Sequence, residues 1–151
     1  MADPETLFGV DLKAVRERLG ALEYFTSVDT VQAATEAITG AEVAIPPAAF
    51  VSIMQENYAA NRYAAGGHAQ RATVELSVLF CIPGERIDGE LPDEVERARK
   101  LILAVLIGWQ PPGADVALEA RSYAVRMIAE GLVWGEWRFR TGFDMQATPA
   151  P

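Results

Sequence analysis

Residues 101–115 read LILAVLIGWQPPGAD: an aliphatic run that stops on a glycine, a tryptophan, two prolines and another glycine. The run is the carboxyl half of a helix. Pro92 suits a first helical turn, where its missing N–H costs nothing, and Asp93, Glu94 and Glu96 place negative charge at the positive end of the helix dipole. Arg97, Arg99 and Lys100 follow. Val95, Ala98, Ile102, Val105 and Leu106 recur at helical spacing as a core stripe. Leu101, Leu103 and Ile107 widen that stripe, so the carboxyl end is expected to be deeply buried. Gly108 supplies a left-handed cap, and Gln110 is pushed to an extended shape by the proline after it. Pro112 and Gly113 suit the central positions of a type II turn. Trp109 is expected to fold back over the core as a lid. Gly108, Trp109, Pro111, Pro112 and Gly113 together read as a stiff structural corner that turns a core helix into an edge of a sheet.

Working outward from that corner, the chain is one alternation of helices and strands with no repeat and no internal linker. Asp11 can cap a first helix in which Leu12, Val15, Leu19 and Leu22 form the apolar stripe while Lys13, Arg16, Glu17 and Arg18 face out. Tyr24–Val28 is a short strand candidate. Asp29 or Thr30 then caps a brief helical turn through Val31, Ala34 and Ile38, ended by Gly40. Pro46 and Pro47 precede a strand from Ala49 to Glu56. Asn57 to Gln70 has small residues, adjacent glycines and no helical stripe, and reads as a long hairpin tip. On the return strand Val74, Leu76, Val78, Phe80 and Ile82 alternate with Thr73, Glu75, Ser77, Leu79 and Cys81, a period of two with one buried face. Pro83 and Gly84 end it. Beyond the corner, Tyr123–Ala129, a Glu130-Gly131 turn and a last strand make a hairpin. In that strand Val133, Trp137, Phe139 and Phe143 lie opposite Trp134, Glu136, Arg138, Arg140 and Asp144.

Composition limits the possibilities further. The chain has 151 residues, 50% hydrophobic, which fits one domain able to bury roughly 68–70% of its unfolded surface. Residues 1–145 are expected to form that domain, with 146–151 a frayed, proline-containing tail. The formal net charge of −8 repels phosphate, which argues against bulk binding of nucleic acid or anionic membrane. The single cysteine, Cys81, excludes an internal disulfide and fits a reducing compartment. The amino end has no basic flank and does not read as a signal peptide. The longest apolar stretch, Leu101 to Ile107, is about a third of the ~20 residues of a membrane helix.

The residues form no recognisable catalytic constellation. His68 is the sole histidine and has no second cysteine or nearby acidic pair with which to hold a metal. Cys81 lies within a strand, where an inert buried thiol is expected. No phosphate-binding loop, nucleophile elbow or zinc-protease helix is present, and Gly66-Gly67 lacks the strand-to-helix context of a nucleotide fingerprint. Asp88, Glu90, Asp93, Glu94 and Glu96 are explained by a solvated helix start without a bound cation. No cofactor is implied.

Two stretches instead have the composition of contact surface. If Trp137 points to the core, Trp134 points away from it, beside Arg138 and Arg140; an outward tryptophan next to arginine suits an interface centre, and a covering helix of the same chain explains it equally. The loop with Asn61, Arg62, Gly66, Gly67, His68, Gln70 and Arg71 is either a mobile tip or an arm that orders against a neighbouring subunit.

These segments carry a resemblance. Leu106-Ile107-Gly108-Trp109-Gln110-Pro111-Pro112-Gly113-Ala114, followed by Leu118-Glu119, resembles a motif of the tail terminator proteins of long-tailed bacteriophages and prophages. Asn61-Arg62-Tyr63-Ala64-Ala65-Gly66-Gly67-His68-Ala69-Gln70-Arg71, leading into a valine-rich strand, is similar to the same family, as is the closing apolar hairpin with its tryptophan-containing strand. The chain departs from the family where Val133-Trp134-Gly135-Glu136-Trp137-Arg138-Phe139 separates tryptophans that members often hold together. The resemblance implies a single α+β domain with a mostly antiparallel or mixed sheet of four to five strands and two main helices packed on one face. It also implies a six-membered ring that caps the tail tube, stops its polymerisation and presents a surface to head or neck proteins. The partners expected are further copies of the chain, the tube protein and connector proteins, with DNA only passing through the lumen. The setting expected is the virion, after assembly in the host cytoplasm. Rival readings are a neck adaptor on the portal side, or a small ligand-binding α+β domain.

Overall fold

In a computed structural model, residues 9–30 and 45–147 are described. They form helix α1 (Leu12–Gly20), strands β1 (Ser27–Thr30), β2 (Ala48–Tyr58) and β3 (His68–Pro83), helix α2 (Asp93–Leu106), and strands β4 (Glu119–Ala129) and β5 (Leu132–Ala147). The strands make one mixed sheet in the order β1-β2-β3-β5-β4. β1 runs parallel to β2, and every other neighbouring pair is antiparallel. This is the α+β architecture expected, with five strands and two helices.

The alternation of β3 decides which face is the core. Val74, Leu76, Val78, Phe80 and Ile82 are all buried, together with Val133, Trp137, Phe139 and Phe143 of β5. Val15 and Leu19 of α1 and Val95, Ala98, Ile102 and Leu106 of α2 belong to the same cluster, so both helices cover one face. Each fully buried aromatic or aliphatic side chain there contributes about 1.5–3 kcal/mol relative to exposure. Asp11 caps α1 by accepting a 3.2 Å hydrogen bond from the Ala14 N–H. Pro92 stands at the cap of α2, one place before its first turn, and the acidic first turn follows as expected.

The corner at the end of α2 forms as the sequence indicates. Gly108 is left-handed at φ +77° and Gly113 at φ +86°. The Ala114 N–H closes the Pro112-Gly113 turn on the Pro111 carbonyl at 3.1 Å. The Gly108 N–H donates to the Leu118 carbonyl at 3.0 Å and the Leu118 N–H to the Trp109 carbonyl at 2.8 Å, so the corner carries its own short ladder. Trp109 is half-buried against the core, with the Arg18 guanidinium 4.7 Å from its ring centre. Beyond the corner lies β4, an edge strand of the sheet. Since β3 and β4 run the same way and β5 fills the place between them, α2 is the crossover that makes room for β5.

Several expectations need correction. The end of α2 is buried on one side only: Leu106 is fully buried but Ile107 is 51% exposed, because the sheet covers a single face of the helix. The first strand is Ser27–Thr30, displaced from Tyr24–Val28 by its pairing with Ala48–Val51. Asp29 and Thr30 are strand residues, and the helical turn expected through Val31, Ala34, Ile38 and Gly40 lies outside the described residues. The hairpin strands are longer than their apolar pattern, pairing out to Tyr58 and Ala72 and leaving a loop of 59–67 in place of Asn57–Gln70. The last strand runs to Ala147, beyond residue 145.

Candidate assembly interface

Burial falls along β2 from Ala48–Val51, which are buried, to an exposed end at Tyr58. This end, the 59–67 loop and the start of β3 form an arm. Asn61 organises it. Its Oδ1 accepts from the Ala69 N–H at 2.8 Å and the Tyr63 N–H at 3.3 Å, and its Nδ2 donates to the Tyr63 carbonyl at 3.0 Å and the Gly67 carbonyl at 3.4 Å. The Arg62 N–H donates to the Ala69 carbonyl at 2.9 Å. Gln70 Nε2 donates to the Ala59 carbonyl at 2.7 Å, and His68 contacts the Gln70 side chain. Gly66, at φ +79°, makes the tip's left-handed turn, and Gly67 lies against the Tyr63 ring. The arm is therefore ordered by bonds within the chain.

The two arginines of the loop pattern converge on one carboxylate. Arg62 lies 3.6 Å and Arg71 3.4 Å from Asp144 of β5, and Arg71 also pairs with Asp115 just after the corner. Hydrogen bonding to Asp115 raises the already high pKa of Arg71, against the opposing effect of burial, and Asp144 adds to the rise. The arm is thus tied to the end of β5 and to the corner. Neither Asp115 nor Asp144 is marked in the sequence as a partner of these arginines, since the pairing depends on register between distant strands.

The sheet face away from the helices is divided. At one end Ala48, Phe50, Cys81 and Trp134 form a second buried cluster, with Leu79 and Leu132 against it. Trp134 does lie opposite Trp137, but it is only 4% exposed and stacks on Phe50 with ring centres 5.9 Å apart. The reading of Trp134 as an outward interface residue is therefore corrected: the tryptophan is covered by side chains of its own chain. Burial pushes the Cys81 thiol up in pKa, which leaves it inert.

The other end is ionic. Glu136, 9% exposed, accepts from Ser77 Oγ at 2.7 Å and from Arg126 at 2.8 Å, and lies 3.2 Å from Arg138. Burial pushes its carboxyl up, but the hydrogen bonds from Ser77 and Arg126 and the two guanidinium charges together hold it below the usual carboxylate range. Arg138 also reaches Glu75 at 3.6 Å. Arg140 pairs with Glu119 at 3.3 Å, and Arg121 shares that carboxylate at 3.7 Å. Arg138 and Arg140 are therefore members of intrachain pairs, on a partly exposed strip that also holds Glu75, Glu119, Arg121 and Arg126.

Nothing in this arrangement resembles a reaction centre. Among the described residues no group of three or more histidine, cysteine or acidic side chains is placed to hold a metal, and no helix is long and apolar enough to cross a membrane. The acids at the start of α2 pair along the helix, Glu96 with Arg99 at 2.8 Å. An open groove lined by Asp93, Glu96, Arg97, Lys100, Leu101 and Ala104 is the outer surface of α2.

Residues 8–149 match the family described as phage tail terminator protein. The chain belongs to the phage tail terminator protein family. The match spans the arm, the corner and the final hairpin, the segments that carried the resemblance, and the first helix as well. No curated protein matches the chain. A tail terminator is a structural component of a phage tail, and membership of such a family argues against an enzyme.

Proposed function

We propose that this chain ends the phage tail tube: copies of it, six to a ring, cap the growing tube, stop its polymerisation and offer a surface to head or neck proteins. The observation that carries this reading is the family match over residues 8–149. The geometry supports it by what the surface offers. An ordered arm and a partly exposed ionic strip suit contacts between rigid bodies, and head-to-tail contacts between unlike patches close into rings. In this reading Asn61, Arg62, Gly66, Gly67, His68, Gln70 and Arg71 present the arm to a neighbouring copy or to the tube. Arg138 and Arg140 line the contact strip, and the buried Trp134 cluster fills the other end of the same face. The corner residues serve folding. Assembly takes place in the host cytoplasm and the product is part of the virion. The net charge of −8 suits a ring whose lumen passes DNA without gripping phosphate.

Electron microscopy of particles made with and without the chain tests this. Tails of set length bearing a ring at the tube's head-proximal end are expected with it, and tubes of uncontrolled length without it. A ring seated on the portal side, with tube length unchanged in its absence, would replace this reading by that of a neck adaptor.

A further inference from the structure

The irregularities of the sheet are not spread evenly. The central pair, β3 with β5, runs from His68↔Ala147 to Pro83↔Leu132 without a break. The register shifts fall instead on β2, between Ile53 and Gln55, and on β4, between Ala120 and Ser122 and again between Val125 and Met127. Both of these strands carry an outer edge among the described residues: β4 along its whole length, and β2 beyond Val51, where β1 ends. On β4 the residue left out of the ladder is an arginine each time, Arg121 and then Arg126. Each is folded back onto a glutamate of its own chain, Arg121 onto Glu119 and Arg126 onto Glu136.

We infer that this pair of arginine-bearing bulges is an edge guard, which closes β4 to strand addition by another copy of this chain or by the end of the tube. A bulge bends the strand, increases its twist and turns backbone groups out of the line that an incoming strand needs. Charged side chains on an edge add a desolvation cost for any strand laid against it. The two bulges leave no regular stretch of β4 longer than Ser122–Val125, short of the five to six residues of an average strand. The ion pair Arg126–Glu136 pins the second bulge in place, because the glutamate it holds is itself bonded to Ser77 in the regular ladder beneath. At the other edge the residue out of register is Met54, which is exposed and uncharged, so the charged guard belongs to β4 alone. The inference extends the proposed function by naming a surface on which a tube-ending subunit refuses to grow.

Two measurements test it. Deleting Arg121 and Arg126 together restores unbroken alternation along β4. The variant is expected to self-associate at least tenfold more tightly than the natural chain in sedimentation, with a gain in strand signal by circular dichroism. A folded deletion variant with unchanged sedimentation would overturn the guard. Should the deletion prevent folding, hydrogen exchange on the natural chain decides. Peptides covering Glu119–Ala129 are expected to exchange equally fast in the chain alone and in capped tails, and protection of that stretch on assembly by tenfold or more would refute the inference. The sedimentation result stands even if the chain proves not to cap tubes.

Discussion

Replacing Gly113 by alanine tests the corner at the atom where it is tightest. A Cβ built on Gly113 would lie 2.0 Å from the Gly9 carbonyl oxygen, 3.0 Å from the Gly9 carbonyl carbon and 3.4 Å from the Val10 Cα. All three are backbone atoms, so no side chain can swing aside. The residue also sits at φ +86°, which costs an L-residue about 1–2 kcal/mol. To relieve the clash, residues 9–11 must lift off the corner. That breaks the 2.9 Å bond from the Asp11 N–H to the Pro112 carbonyl, worth about 0.5–1.5 kcal/mol, and it uncovers part of Val10, which contributes up to about 2 kcal/mol when buried. The sum is roughly 1.5–5.5 kcal/mol. At about 2–4 °C per kcal/mol for a chain of this size, Tm should fall by roughly 3–22 °C. Gly66→Ala provides the reference, since Gly66 has a similar φ of +79° and nothing within 4 Å of the added atom. Only the conformational cost of about 1–2 kcal/mol is expected there. Calorimetry of both variants reads the difference, and equal losses would show that residues 9–11 are not clamped under the corner.

Three further outcomes are expected. Trp109→Ala should cost about 2–3 kcal/mol in urea unfolding, less than the roughly 3–5 of a fully buried tryptophan; a loss under about 0.5 kcal/mol would show that the ring does not serve as a lid. Glu136→Gln should lower Tm at pH 7, and the gap to the natural chain should close as pH falls: a depressed carboxyl contributes stability above its unfolded pKa and loses it as pH drops through the folded value. Parallel melting curves from pH 7 down to pH 3 would mean that Glu136 holds no depressed carboxyl. Arg62→Glu with Arg71→Glu sets four acids around the arm's base. Surface pairs are each worth only about 0–1 kcal/mol, so loss of the three pairs should lower Tm by less than about 12 °C while ring formation or tail capping fails; adding Asp144→Arg should restore part of the association, and normal tails from the double variant would remove the arm from assembly.

The corner and the main core were legible because each rests on local chemistry. Proline and glycine fix backbone angles where they stand, and the alternation of Val74 through Ile82 needs no partner to be read. The limits of the hairpin were hidden because the arm has polar residues on both faces, Asn57 and Thr73 on one and Glu56 and Gln70 on the other, so no apolar period marks where pairing stops. The face of Trp134 is legible from the alternation, but whether its own chain covers it is not. Its cover comes from Phe50, and only the register that sets Phe50 against Leu79 and Leu79 against Glu136 brings β2 and β5 side chains to one patch. The ionic strip and the Asp144 cluster were hidden for the same reason, being built from acids and bases on strands far apart in sequence. Which residues fall out of register on β4 is likewise a property of the paired strands and not of either alone.

The unbroken β3–β5 ladder has a mechanical consequence. At about 3.4 Å per residue its sixteen pairs form a beam roughly 50 Å long, with the arm at one end and the stacked Phe50–Trp134 patch near the other. Pulled lengthwise, such a beam shares the strain among all its rungs and is at its stiffest. Bent outward at the tip, it opens one rung at a time. Orientation of the beam relative to the tail axis thus decides whether the subunit transmits force or yields to it.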